Sequence, residues 1–269
     1  MPQEARKIKP NGATHRPTFP LLGGGIFIAM SENYFIFNGT DSRDLGVRVK
    51  RMPPRVMPAR RYEEHRIAGR HGVARIWDGA YEPVQLPVEL YLPYEQGGTV
   101  AALPTIMRAL DGCGWLTLSD RPGRRFWATV TGEASYETWV EGYAERVCTV
   151  TFEAEPQAWH TENPAIAVAA SGDSVTNPGT QISEPVVTVT GSGEVVLMIG
   201  QQITTLQLGE SGGTMTVDAA SGAATMGGEI VEDGLEGDWP MLQPGANAVS
   251  WSGSVTAVSI TVNPFDIGA

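Results

Sequence analysis

Short runs in which apolar and polar residues alternate recur along this chain, separated by glycine, proline and asparagine, and they predict strands and turns throughout. Tyr34-Phe35-Ile36-Phe37 is an apolar strand, Asn38-Gly39 a turn, and Leu45 to Lys50 alternates into a second strand. A proline-punctuated basic connector runs from Lys50 to Arg61. Tyr62 to Ile67 and Val73 to Trp77 flank Ala68-Gly69-Arg70-His71-Gly72, the pattern of a long hairpin with a glycine-bearing loop. Leu86, Val88, Leu90 and Leu92 alternate as a half-buried strand does, and Pro87 and Pro93 place that strand at a sheet edge. One helix is predicted, over Leu103 to Leu110, with Pro104 in its first turn, Ile106, Met107 and Leu110 on one face, and Gly112 as its cap. Trp115 to Ser119, Arg125 to Thr131 and Arg146 to Phe152 continue as strands, the first two joined by the turn Asp120-Arg121-Pro122-Gly123.

After Asn163-Pro164 the rhythm changes. Val, Ile, Leu and Thr runs fall at Pro185 to Thr190, Val195 to Ile199, Ile203 to Leu208, Thr214 to Val217, Ala248 to Trp251 and Val255 to Val262. Their spacing, about eight to twelve residues with turn signals between, is that of a β-sandwich. No helix pattern occurs there. The chain therefore reads as mostly β, in two domains that meet near residues 157 to 170.

Charge sharpens that division. Up to His160 there are 19 Lys and Arg against 18 Asp and Glu; from Thr161 onward there are none against 12, which gives the net −11. All four His also precede residue 161. A half without cations is repelled by phosphate backbones and anionic lipid, which excludes both as its partners. No run of about 18 apolar residues offers a membrane span. Residues 1–29 read as a flexible leader or an upstream start, with the folded protein beginning near Met30; Leu21 to Met30 is too glycine-rich, and too far behind a polar stretch, for a signal peptide.

Candidate chemistry is sparse. Cys113 and Cys148 lack CxxC spacing and a partner His, so buried free thiols are expected and no metal site or cofactor is implied. His65, His71 and His160 have no Gly-x-Ser-x-Gly elbow to serve, and no catalytic residue is assigned. The acidic run Glu229, Glu232, Asp233, Glu236, Asp238 could hold calcium or supply a hydrolase pair, but it lacks EF-hand spacing and reads as a solvated loop. Gly191-x-Gly193 has no helix behind it and is no phosphate loop. Arg48, Lys50, Arg51, Arg55, Arg60, Arg61, Arg66, Arg70 and Arg75 resemble a nucleic-acid footprint, yet Glu63, Glu64 and Asp78 interleave with them. A subunit interface is the better reading, because Arg and Tyr are enriched there. Its candidate contacts are Arg60, Arg61, Tyr62, Glu63, Arg66, Arg70, Arg75 and Trp77.

Taken in order, several motifs resemble the distal tail protein (Dit) family of long-tailed, non-contractile bacteriophages. They are Tyr34 to Val47 with its Leu45-Gly46-Val47 strand; Leu116 to Trp127 through Asp120-Arg121-Pro122-Gly123; Thr151-Phe152-Glu153-Ala154-Glu155-Pro156; Asn177-Pro178-Gly179-Thr180; Glu184-Pro185; Gly191-Ser192-Gly193; and Trp239-Pro240-Met241-Leu242-Gln243-Pro244-Gly245-Ala246-Asn247. Each is weak alone, and their order over residues 31 to 265 carries the likeness. The resemblance implies a tail-tube-like β-sandwich or barrel with one helix and a long hairpin at 30–160, and a galectin-like β-sandwich at 161–269. It also implies a non-enzymatic homohexameric ring at the virion tail tip. Expected partners are the tail tube protein, a tail-tip or tail-associated protein and a receptor-binding protein, with DNA only in transit through the ring and no membrane anchor. The alternative is a carbohydrate-binding adhesin in which Trp239 and Trp251 stack on sugar.

Overall fold

The computed structural model describes residues 33–92, 99–131, 135–137 and 146–268. The leader expected at 1–29, the start near Met30 and the expectation for Pro93 lie outside the described residues.

The first part of the chain forms strands β1 (Phe35–Phe37), β2 (Thr40–Asp41), β3 (Arg48–Arg51), β4 (Arg60–His65), β5 (Ala74–Tyr81) and β6 (Val84–Leu92), then helix α1 (Thr99–Ala109). Strands β7 (Cys113–Leu118), β8 (Arg124–Val130), β9 (Ser135–Glu137), β10 (Arg146–Ala154) and β11 (Gln157–His160) follow. Asn38 and Gly39 link β1 to β2 with φ of 49° and 79°. Two consecutive positive φ values suit the right-handed twist of a two-residue hairpin, and Asn-Gly tolerates them best. The main sheet runs in the order β2-β1-β7-β8-β10-β6-β3, with β9 on β10 and β11 on β8.

Alternate residues of these strands point inward, as the period of two requires. Phe35, Phe37, Leu86, Val88, Leu90, Leu116, Leu118, Phe126 and Phe152 form a buried core. The Phe152 ring meets Phe35 at 5.4 Å and Phe37 at 5.3 Å between centroids, within the range in which aromatic pairs attract. Each fully buried side chain of this size is worth about 1.5–3 kcal/mol relative to exposure.

Helix α1 closes this core with Ile106 and with Leu110, the residue just past its end, whose amide still donates to the Ile106 carbonyl at 3.0 Å. It differs from expectation in two respects. It starts at Thr99, so Pro104 lies inside it, where the missing N–H removes one ladder bond. Met107 is exposed, because it lies about 100° around the helix from Ile106. Gly112, at φ +87°, ends the segment as predicted. Strand β6 is not an edge strand: β3 covers it at Glu89, Leu90 and Tyr91. Pro87 is tolerated because it lies beyond the last residue that β3 reaches, where no ladder donor is needed.

The second part contributes β12 (Ile166–Val168), β13 (Ser174–Asn177), β14 (Val186–Ile199), β15 (Gln202–Gln207), β16 (Gly213–Asp218) and β17 (Ala223–Met226). It ends with β18 (Glu229–Ile230), β19 (Leu235–Gly237), β20 (Gly245–Thr261) and β21 (Phe265–Ile267). The order is β12-β20-β14-β16-β17-β18, with β13 on β20 and β15 between β14 and β19. Val187, Val189, Val195, Leu197, Leu206, Met215, Val249, Val258 and Ile260 fill a second core.

Sequence reasoning divided β14 and β20 into two strands each, and the structure makes each continuous. Their register shifts at Thr190/Gly191 and Ser192/Val196. A Cβ on Gly191 would fall 2.2 Å from the Ser254 carbonyl oxygen, and one on Gly253 (φ +100°) 2.4 Å from that of Glu194. These glycines are bulges at which two long paired strands bend, so the pairing survives them.

Strand β21 returns to the first sheet, pairing Trp159 with Phe265 and Gln157 with Ile267 on β11. The two segments that connect the cores are tied together: Asn163 Nδ2 donates to Asn263 Oδ1 (2.6 Å) and the Asn263 amide donates to Asn163 Oδ1 (3.1 Å).

Candidate functional site

Among the described residues, strands β4 and β5 pair only with each other, as a two-stranded ribbon apart from both larger sheets. Every residue of β4 is exposed. Tyr62 lies opposite Trp77, Glu63 opposite Ile76 and Glu64 opposite Arg75. Tyr62, Trp77 and Ile76 are 44%, 42% and 56% exposed, and Ile67 in the loop is 50% exposed. So much uncovered aromatic and aliphatic surface on one ribbon is the composition of a contact face.

The ribbon is stiffened from within. Arg60 lies over the Trp77 ring at 4.6 Å, Trp77 meets Tyr81 edge-on at 5.7 Å, and Trp77 Nε1 donates to the Ala80 carbonyl at 2.8 Å. Arg61 pairs with Asp78, and Arg75 with Glu64 at 2.8 Å. The Tyr81 and Tyr62 hydroxyls raise the Arg60 pKa, and Asp78 raises that of Arg61. Arg66 and Arg70 project from the exposed loop between the strands. The structure therefore brings all eight sequence-named contact residues onto one hairpin.

The other named residues are scattered. Trp239 and Trp251 are half-buried against the second core, which leaves part of each ring to solvent. Glu229 lies on β18, Glu232 and Asp233 in the loop that follows, Glu236 on β19, and Asp238 beyond it, where Oδ2 accepts from the Ile203 amide at 3.4 Å. Among the described residues no group of three or more His, Cys, Asp or Glu is placed to hold a metal ion. No helix among them is long and apolar enough to cross a membrane. His65 pairs with Glu63 at 3.4 Å. Cys148 is buried as expected, whereas Cys113 is exposed, because it begins β7 on the outward side of the alternation.

Two functional-looking residues escaped the sequence reading. Asp266 on β21 accepts from Arg124 Nε (2.9 Å) and the Thr180 amide (2.9 Å), and its Oδ2 lies 3.2 Å from His160 Nε2. Burial works against its charge, yet the Thr180 and Arg124 hydrogen bonds hold its carboxyl below the usual aspartate range. Arg121, read as a turn residue, has a side chain only 4% exposed. Its Nη2 donates to the carbonyls of Pro53 (2.9 Å) and Pro54 (3.0 Å); Nε lies 3.8 Å from Asp120 Oδ2, and Nε and Nη1, both shut off from solvent, have no hydrogen-bond partner among the described residues. Desolvation lowers the Arg121 pKa, Asp120 opposes that shift and Arg55 adds to it. Arg121 lines a cleft of about 610 Å³ together with Arg55, Arg124, Pro122, Phe126 and Ile267. Neither residue carried a local signal, since their partners lie 67 to 142 residues away in the chain.

No protein-family model matches the chain, and no curated protein matches it. Among solved structures it is similar to the SPP1 Dit (gp 19.1) protein, described as a paradigm of hub adsorption apparatus in Gram-positive infecting phages. The two are 16% identical, with a TM-score of 0.67 over 85% of this chain and 98% of that one. The chain therefore has a mostly β, Dit-like fold.

Proposed function

We propose that this chain is a structural component of a bacteriophage tail tip, in which six copies close into a ring joining the tail tube to the host-recognition apparatus. The observation that carries this reading is the Dit-like fold over 85% of the chain, shared with a protein of a phage hub adsorption apparatus. The hairpin supports the ring. A ribbon with exposed Tyr62, Trp77, Ile76 and Ile67, rimmed by Arg and Glu, suits a head-to-tail contact, the kind that closes rings.

In this reading Arg60, Arg61, Tyr62, Glu63, Arg66, Arg70, Arg75 and Trp77 form the ring contact. Residues 30–160 build the ring, and residues 161–269 form a galectin-like outward arm whose strand β21 returns to the ring-building sheet. The tail tube protein lies on one side of the ring and the tail-tip and receptor-binding proteins on the other. DNA only passes through the channel. An arm with no Lys or Arg and 12 acidic residues does not hold phosphate backbones, which keeps it from attaching to nucleic acid during assembly.

Mass photometry of the purified full-length chain at micromolar concentration tests the reading. A particle of six 28.8-kDa chains is expected; a single-chain mass at every concentration would remove the ring.

A further inference from the structure

The outer face of the β14–β15 pairing is apolar where an exposed sheet surface is ordinarily polar. Met198 on β14 lies directly opposite Ile203 on β15, and both side chains point outward, 42% and 50% exposed, while their neighbours Leu197 and Thr204 turn inward. Two residues along each strand, Val196 lies opposite Thr205 on the same side. This is no sheet edge, since β20 pairs with the other side of β14 at Ser250 and Ser252. Carboxylates frame the patch. Glu194 lies opposite Gln207, Glu236 opposite Thr205, and Asp238 beside Ile203, whose amide donates to its Oδ2 at 3.4 Å. No Lys or Arg occurs from residue 161 onward, so any side-chain cation from Lys or Arg that pairs with this rim comes from outside the arm.

The loop between β4 and β5 carries the complement. Arg66 precedes the exposed Ile67, and the Arg70 amide donates to the Ile67 carbonyl at 3.2 Å, a turn that brings Arg70 back beside it. Among the described residues the Arg66 and Arg70 side chains have neither an ion pair nor a hydrogen bond, unlike Arg61 and Arg75 on the strands. Loop and patch are both exposed within one chain, so they do not meet there. We propose that the β4–β5 loop of one copy docks on the Met198–Ile203 face of the next copy, with Ile67 against those two side chains and Arg66 and Arg70 against the Glu194, Glu236 and Asp238 rim. The contact rests on the proposed ring and adds to it the surface that receives the tip of the ribbon. Burial of the three apolar side chains supplies attraction, and the opposed charges select the partner surface and its register. Because the loop precedes residue 161 and the patch follows it, the contact is head-to-tail, the type that closes rings.

Disulfide trapping in the full-length chain tests the contact, with the exposed Cys113 replaced by Ser. Ile67→Cys together with Ile203→Cys is expected to give, on mild oxidation, a covalent ladder that reaches the whole ring. Ile67→Cys together with Ile230→Cys, on β18 and more exposed than Ile203, is expected to give none. Arg66→Glu with Arg70→Glu is expected to weaken assembly about tenfold, and the further exchange of Glu194→Arg and Glu236→Arg to recover it. All four charged positions are exposed, so these variants keep the fold. Rings that form without the 67–203 link, or that link equally at 67–230, would overturn this contact and leave the ring standing; so would a charge exchange that recovers nothing. A chain that stays single at every concentration would remove the ring and the contact together.

Discussion

At Gly253 the backbone sits at φ +100° and a Cβ would meet the Glu194 carbonyl at 2.4 Å, whereas at Gly193, φ +69°, nothing lies within 4 Å. Both positions resist a side chain through backbone conformation, and only the first also resists it through contact. Gly253→Ala is therefore expected to cost well over the roughly 1–2 kcal/mol of left-handed strain expected for Gly193→Ala. Urea denaturation of the two variants measures the difference, and equal midpoints would show that the bulge contact carries no weight. The thiols give a second residue-scale expectation. Burial pushes the Cys148 thiol up and shields it, while Cys113 is exposed. Counting thiols with Ellman's reagent should give one reactive Cys per native chain and both only in denaturant; two at native conditions would mean that the first core opens readily.

Among the elements, the β4–β5 ribbon has the least internal reason to be stable. Isolated two-stranded ribbons are marginal in water, and the exposed pairs Arg61–Asp78 and Arg75–Glu64 are screened by solvent and add little. In the proposed ring, a neighbour that covers Tyr62 and Trp77 supplies what is missing. Tyr62→Ala with Trp77→Ala is expected to weaken assembly at least about tenfold, since buried aromatics dominate interfaces. It should leave the melting temperature of the dissociated chain nearly unchanged, because neither residue belongs to either core. A fall in melting temperature without loss of assembly would assign the pair to the fold instead.

The hairpin itself was legible, because Ala68 to Gly72 and the flanking alternation are local signals, as was the Asn38-Gly39 turn. The continuity of β14 and β20 was not. A glycine in a run of Val and Thr permits a turn or a bulge equally, and the choice here was made by Ser254 and Glu194 on partner strands far along the chain. For the same reason the cleft was invisible: Asp120-Arg121-Pro122-Gly123 announces a turn, but the carbonyls that bury Arg121 come from Pro53 and Pro54.

Across the whole molecule, the two cores are joined where β21 meets β11 and where Asp266 gathers Arg124, His160 and Thr180. The folded-state pKa of Asp266 is depressed, so its contribution is fully present above the unfolded value of about 3.9 and is lost as pH falls through the lower folded value. Asp266→Asn should therefore melt below the parent protein near neutral pH, and the gap should close as pH falls below about 4. A gap that persists unchanged into acid would show that shape, not charge, matters at this joint.

Electron microscopy of the purified full-length protein shows most directly what these parts build together. Six-fold rings are predicted, with the β4–β5 ribbon of each subunit laid against its neighbour and Tyr62 and Trp77 covered. Particles of a single subunit throughout, or rings in which that ribbon stands free in solvent, would contradict it.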